Sequence, residues 1–374
     1  MKKLILISIF FSLFCSKIGN TKGFEHESEM KLRSLYGYTQ YADSVKKGQN
    51  RNHLPVFAGI DNKLTYDFND SLSFNFYADI KAKVSSNIEN LNQGHWGEAV
   101  YAGIFSDYGD IYIGQMENVA SQLSVTKADL SVWQISSTEI TDFIENPNWY
   151  QSGKTKYYAT LTSTNPNTDG SSFKISYLTP EYNGTTIGIS YTPEVNATDS
   201  LISKFSSYSG NSSYSLALYN QHEFNSVNTE VYAAFSDYEN SHQEYGVGFL
   251  VYRKGWSVFA SYLRSNTSGH DKAITKTDVS ENQKAYFDDF RNSVAYKLGV
   301  SYEFAFLTST LSYFDSYSQN TKAYNRIINL HNSLKFDKNY ALYLGCAYSM
   351  FNSAKEIAKN NKGFSAYAGI QFEF

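Results

Sequence analysis

Cysteine and proline are nearly missing from this chain: its 374 residues include two of the first and five of the second. Cys15 lies in the N-terminal segment and Cys346 stands alone, so an exported form has neither an intrachain disulfide nor a cysteine-based metal site. Stability must then come from backbone pairing and packing. Long apolar runs are also missing. Outside the first fifteen residues nothing approaches the roughly 20 apolar residues of a spanning helix, which excludes a helical membrane protein. Basic residues are not in excess: 32 Lys and Arg face 36 Asp and Glu, so a nucleic-acid partner is disfavoured. The prolines, Pro55, Pro147, Pro166, Pro180 and Pro193, fall in loops or at strand ends, where a missing N–H breaks no ladder.

What is present is aromatic: 32 Tyr and 26 Phe, within a hydrophobic content of 42% that is too high for disorder. The start of the chain reads as a secretory signal peptide. Lys2 and Lys3 precede an apolar run from Leu4 to Phe14, and the small residues Thr21 and Gly23 suit cleavage after Gly23. This gives a signal peptide over 1–23 and a mature domain over 24–374. Cleavage would remove four lysines and no acid, taking 32 basic residues to 28 against 36 acidic ones, a net charge of −8.

From Met30 onwards the hydrophobic period is two. Between Ser71 and Ser85, Leu72, Phe74, Phe76, Ala78, Ile80, Ala82 and Val84 alternate with polar or charged residues. Strands are read near 33–42, 54–68, 71–86, 96–106, 109–116, 171–178, 184–192, 211–224, 226–238, 242–254, 255–265, 290–304, 306–318, 321–337, 339–351 and 363–374, sixteen in all. Short links such as 69–70, 107–108, 179–183 and 305 interleave with long ones such as 43–53, 87–95, 117–170 and 266–289. A soluble sandwich gives no reason for that alternation. A transmembrane antiparallel β-barrel does, with short periplasmic turns and long extracellular loops. The fold class read from the sequence is therefore all-β, a barrel of sixteen strands, which leaves no open sheet edge.

Four segments carry a resemblance. Residues 98–116 read Glu98-Ala-Val-Tyr-Ala-Gly-Ile-Phe-Ser-Asp-Tyr-Gly-Asp-Ile-Tyr-Ile-Gly-Gln-Met116. Residues 174–193 read Lys174-Ile-Ser-Tyr-Leu-Thr-Pro-Glu-Tyr-Asn-Gly-Thr-Thr-Ile-Gly-Ile-Ser-Tyr-Thr-Pro193. The first resembles a hairpin of Gram-negative general porins. The second is similar to a later porin hairpin, notably in alphaproteobacterial members. Leu35-Tyr-Gly-Tyr38 and Ile370-Gln-Phe-Glu-Phe374 resemble the first and last strands. The matches keep the family's order and span the mature chain.

The resemblance implies an outer-membrane homotrimer in lipid and lipopolysaccharide, each barrel a water-filled channel for passive diffusion of small hydrophilic solutes and ions. It implies a channel narrowed by an inward-folded third loop, here within 117–170. That loop carries Glu117, Asp129, Glu139, Asp142 and Glu145. Facing them on the polar side of strands, Lys63, Lys81, Lys83, Lys174 and Lys297 are the expected wall residues, giving a transverse field. Gln115 stands where the family commonly has Arg. Its lost positive charge, with the net −8, gives an expected weak cation preference. Phe372 and Phe374 resemble the terminal signal read by the outer-membrane assembly machinery.

Catalysis finds little footing. Seven histidines and no Gly-x-Ser-x-Gly or metal-spaced cluster are present, and His331 alone is well placed within a strand. Asp288-Asp289 are two loop acids, read as solvated and not as a Ca²⁺ site. Cys346 reads as a small apolar filler. No enzyme, cofactor or metal is expected. The second reading is a surface adhesin or antigen anchored by its barrel, and the third is a barrel hydrolase.

Overall fold

A computed structural model of the chain describes residues 24–41, 52–53, 56–84, 99–125, 149–152, 155–158, 160–161, 163–167, 169–195, 212–239, 242–267, 292–319, 322–336, 339–352 and 361–373. The proposed signal peptide, Asp129, Glu139, Asp142, Glu145, Asp288, Asp289 and Phe374 lie outside these residues, as do the side chains of Lys81 and Lys83.

The strands in chain order are β1 (Phe24–Tyr41), β2 (Asn52–His53), β3 (Val56–Asn69), β4 (Leu72–Val84), β5 (Ala99–Ser106), β6 (Gly109–Gln115), β7 (Trp149–Ser152), β8 (Thr155–Tyr158), β9 (Phe173–Leu178) and β10 (Thr185–Thr192). They continue with β11 (Ser213–Phe224), β12 (Val227–Tyr238), β13 (His242–Arg253), β14 (Trp256–Thr267), β15 (Ser293–Phe304), β16 (Leu307–Ser318), β17 (Tyr324–Lys335), β18 (Tyr340–Asn352) and β19 (Asn361–Glu373). Seventeen form one antiparallel sheet, while β7 and β8 form a separate small hairpin. Apart from the two-residue β2, each strand of the large sheet pairs with its neighbours in the chain. β1 also pairs with β19, from Lys31 opposite Glu373 to Tyr41 opposite Gly363, so the ladder returns to its start.

Period two decides what faces where. Along β11, Ser213, Ser215 and Ala217 are buried while Tyr214, Leu216 and Leu218 are exposed. The exposed set is apolar and faces outwards. The inner face is made largely of serines, tyrosines and charged residues, so the usual order of a globular protein is inverted, as a lipid surround and a polar interior require.

Each of the seven short turns carries an outward-exposed aromatic: Phe68, Tyr108, Tyr182, Phe224, Trp256, Phe304 and Phe336. Phe372 joins them edge-on against Tyr340, with ring centroids 5.6 Å apart. Such rings, half apolar and half polarisable, settle at a membrane–water boundary. The turns themselves are tight: Asn183-Gly184 and Lys254-Gly255 both take positive φ, the conformation that matches the twist of a two-residue hairpin. β1 starts at Phe24, earlier than the alternation near residue 33 predicts. Its first outward positions include His26 and Ser28, which mute the pattern, while β3 supplies the partner from Phe24 to Ser34.

Candidate functional site

The interior is furnished by the segment between β6 and β9. After Gln115 the chain turns inwards into a one-turn helix, Val119–Gln122, capped by Asn118, whose Oδ1 accepts from the Ser121 amide at 2.9 Å. The Val119 amide donates to Ser190 Oγ on β10 at 2.8 Å. Here the wall is notched: a Cβ on Gly188 would lie 2.8 Å from Val119 Cβ, and one on Gly246 would lie 3.1 Å from Pro166 Cγ. Val125 packs into Tyr232, Leu250 and Phe259 on β12–β14. Farther round, Leu161 joins Leu263, Ala295, Phe314, Ile327 and Ala347 on β14–β18, and Thr160 bonds Ser316 of β16 at 2.9 Å. The return path bonds Thr164 to Ser261 at 2.7 Å.

Both ends of the segment are held by one buried network. Asp169 accepts from Asn118 Nδ2 at 2.8 Å, Thr192 Oγ1 at 2.7 Å and Ser213 Oγ at 3.1 Å, with Lys174 Nζ at 3.5 Å. Lys174 also donates to the carbonyls of Met116 and Gly170, and both charges are fully buried. Removing two charges from water is costly, and here hydrogen bonds to five further groups offset that cost. The described residues of 116–125 and 160–170 thus run along the inner wall from β9 and β10 to β18. The inner face of β1–β6 takes part in none of these contacts and is in that sense an uncovered wall.

The expected site residues fall into distinct places. Glu117 sits at the root of the loop, its carboxylate accepting from Ser121 Oγ at 2.8 Å. Lys174 faces inwards but is buried under the loop, so it anchors the loop and presents no charge to open water. Lys297 also faces inwards, 5% exposed, with Nζ 5.6 Å from the centre of the Phe259 ring. Lys63 stands on the uncovered wall, 3.4 Å from Glu27. Gln115 does not line the interior: its register partners are Val100 and Phe173, and it shares the outward face with Ile111 and Ile113. The absence of Arg there therefore removes no charge from the lumen. His331 lies on the inner wall, its Nδ1 3.0 Å from the Tyr367 hydroxyl.

Register sets Lys31 and Arg33, which the sequence reading passed over, beside the expected Lys81 and Lys83. Lys31 and Lys81 both pair with Gly59, and Arg33 and Lys83 both pair with Phe57, so by register four basic positions fall in two rows near the long-loop end. Nearer the short turns the same wall carries Glu25, Glu27, Glu29, Asp61, Asp79 and Asp110. The signal for both groups was the alternation itself, carried back to Phe24. Among the described residues no group of three or more His, Cys, Asp or Glu is arranged to hold a metal.

Comparison with known proteins agrees with this geometry. The family model described as Gram-negative porin matches residues 34–354. No curated protein matches the chain. Among solved structures, Salmonella typhi OmpF in complex with daunomycin superposes with a TM-score of 0.61 at 16% identity, covering 94% of this chain and 98% of that one. Vibrio cholerae OmpT, expressed in the outer membrane, gives 0.58 at 12%, covering 96% and 100%. An anion-selective porin from Comamonas acidovorans gives 0.57 at 13%, covering 94% and 100%.

Proposed function

The chain belongs to the Gram-negative porin family and forms an outer-membrane channel, and from that premise we propose how it passes and selects solutes. Small hydrophilic solutes and ions diffuse passively through the gap between the inward loop and the inner face of β1–β6, with the loop as the constriction. The observation that supports this reading is the attachment of Val119, Thr160 and Leu161 to β10 and β14–β18, with the inner face of β1–β6 outside those contacts. Barrier height is then set by gap size and by charge.

The channel prefers cations weakly. Support comes from six carboxylates on the uncovered wall and from the net −8 of the exported chain, while the basic rows at Lys31, Lys81, Arg33 and Lys83 keep the preference small. Lys83 and Lys81, with Glu117, Asp129, Glu139, Asp142 and Glu145 across the gap, supply the transverse field. The signal peptide is removed after Gly23, the terminal aromatic Phe374 and its strand partner Phe372 are read by the assembly machinery, and three copies associate. Reversal potentials of the purified protein in planar bilayers under a KCl gradient test the selectivity. A potential of the sign for cation flow is expected, and clear anion selectivity overturns the reading.

A further inference from the structure

The uncovered wall is not a uniform polar surface. On the inner faces of β4–β6, Tyr77 and Tyr101 lie with ring centroids 5.0 Å apart, Tyr101 and Tyr112 5.7 Å apart, and Tyr112 and Phe105 5.3 Å apart. Register sets them on descending rows: Tyr77 opposite Tyr101, then Asn75 opposite Gly103 and Gly103 opposite Tyr112, then Phe105 opposite Asp110. Carboxylates close both ends. Asp61 and Asp79 stand above, the first accepting from the Tyr77 hydroxyl at 3.3 Å, and Asp110 stands below, accepting from the Tyr112 hydroxyl at 3.4 Å. At a rise of about 3.3 Å per residue the ladder runs about 20 Å along the channel wall.

Its rings and most of its carboxylates are partly exposed, unlike the inner wall beneath the loop. An amide in it is unsatisfied. Asn75 faces inwards beside the notch at Gly103, where the Phe105 and Tyr112 rings crowd in, and is 8% exposed, yet its Oδ1 has no hydrogen-bond partner. A buried acceptor left in that state costs free energy that a donor from a solute would recover.

From these observations we infer that the ladder is a subsite for organic ammonium cations. A primary alkylammonium has the matching parts: a positive charge for the carboxylates, C–H groups polarised for ring faces, and N–H donors for Asn75. Alkali-metal cations lack the last two. The basic neighbours are Lys63, in the row of Tyr77 and held by Glu27 at 3.4 Å, and Lys81, two residues above Asp79 on the long-loop side. The inference rests on the reading that this wall borders the solute path.

The test uses the full-length exported protein in planar bilayers, with n-butylammonium added to KCl. Concentration-dependent reduction of the K⁺ current is expected from n-butylammonium and none from n-butanol, and equal effects of the two overturn the subsite. In Tyr101→Leu and Tyr112→Leu the half-blocking concentration should rise about two- to five-fold for each ring, whereas Tyr101→Phe, which keeps the ring face, should retain the block. Asn75→Leu should weaken block by n-butylammonium and spare block by tetramethylammonium, which has no N–H. Unchanged half-blocking concentrations across the Leu variants overturn the inference. Should those variants yield no channels, the n-butylammonium and n-butanol comparison on the unaltered protein decides it. The KCl reversal potential, read on the same membranes, judges the general cation preference separately: a cation-selective channel whose block ignores the Leu variants sinks the ladder alone.

Discussion

At the scale of single residues, the interior of this porin depends on one buried ion pair. Lys174 and Asp169 are five positions apart in sequence but brace opposite ends of the same loop against β9–β11. Lys174→Met leaves Asp169 buried and short of its counter-ion, with an expected cost of about 3–5 kcal/mol. The measurement is the temperature of sample heating at which the folded band disappears from the gel, which should fall. Lys174→Met with Asp169→Leu removes both charges and should recover part of the loss, an outcome that separates stranded charge from lost packing. Neither role was legible in the sequence. An inward lysine on a strand reads equally well as a wall charge or as an anchor, and the choice depends on a loop whose path no periodicity describes. Gln115 is the opposite case. Counting alternation from Ile111 and Ile113 assigns it outwards, and only the motif-level resemblance drew it to the lumen.

At the scale of elements, strands and turns were largely legible because each is specified locally. A run such as Ser71 to Ser85 needs only its own alternation to choose faces, and a two-residue turn needs only residues tolerant of positive φ. The loop is specified by the wall instead. Gly188 and Gly246 leave shallow notches on β10 and β13, and Val119 and Pro166 fill them. A Cβ on Gly188 cannot coexist with Val119 in place, since Val119 Cβ would lie 2.8 Å from it and Leu178 Cδ2 2.7 Å from it. Gly188→Val should therefore push the helix of the loop off β10 towards the uncovered wall. Single-channel conductance in KCl should drop while the barrel's heat-dependent gel mobility persists. Unaltered conductance would show that the loop root has no part in the constriction. β7 and β8 form a hairpin within this same segment, and the sequence reading passed over it because four-residue strands are too short for period two to register.

At the scale of the whole molecule, the pairing of β1 with β19 turns a row of local hairpins into a tube, and the tube turns an inverted pattern of polarity into a channel. Charge is then read over the lumen as a whole. Around β1–β4 it is layered by register: Lys31, Arg33, Lys81 and Lys83 occupy positions nearer the long loops, and Glu25, Glu27, Glu29, Asp61 and Asp79, with Lys63 among them, positions nearer the short turns. A diffusing ion meets both layers in series, so selectivity is their difference and each layer's reach depends on ionic strength. The Debye length is about 30 Å at 0.01 M salt, about 10 Å at 0.1 M and about 3 Å at 1 M. At the low end both layers and the protein's net negative charge act on an ion anywhere in the lumen. At the high end an ion feels only groups it nearly touches. The cation preference should thus be largest at low salt and shrink towards that of free diffusion as both KCl concentrations are raised at a fixed ratio. Reversal potentials taken at a constant tenfold gradient over that range measure it. A preference that holds constant up to molar KCl would place the selecting charges in direct contact with the ion, at the constriction itself, and would remove the layered wall from the explanation.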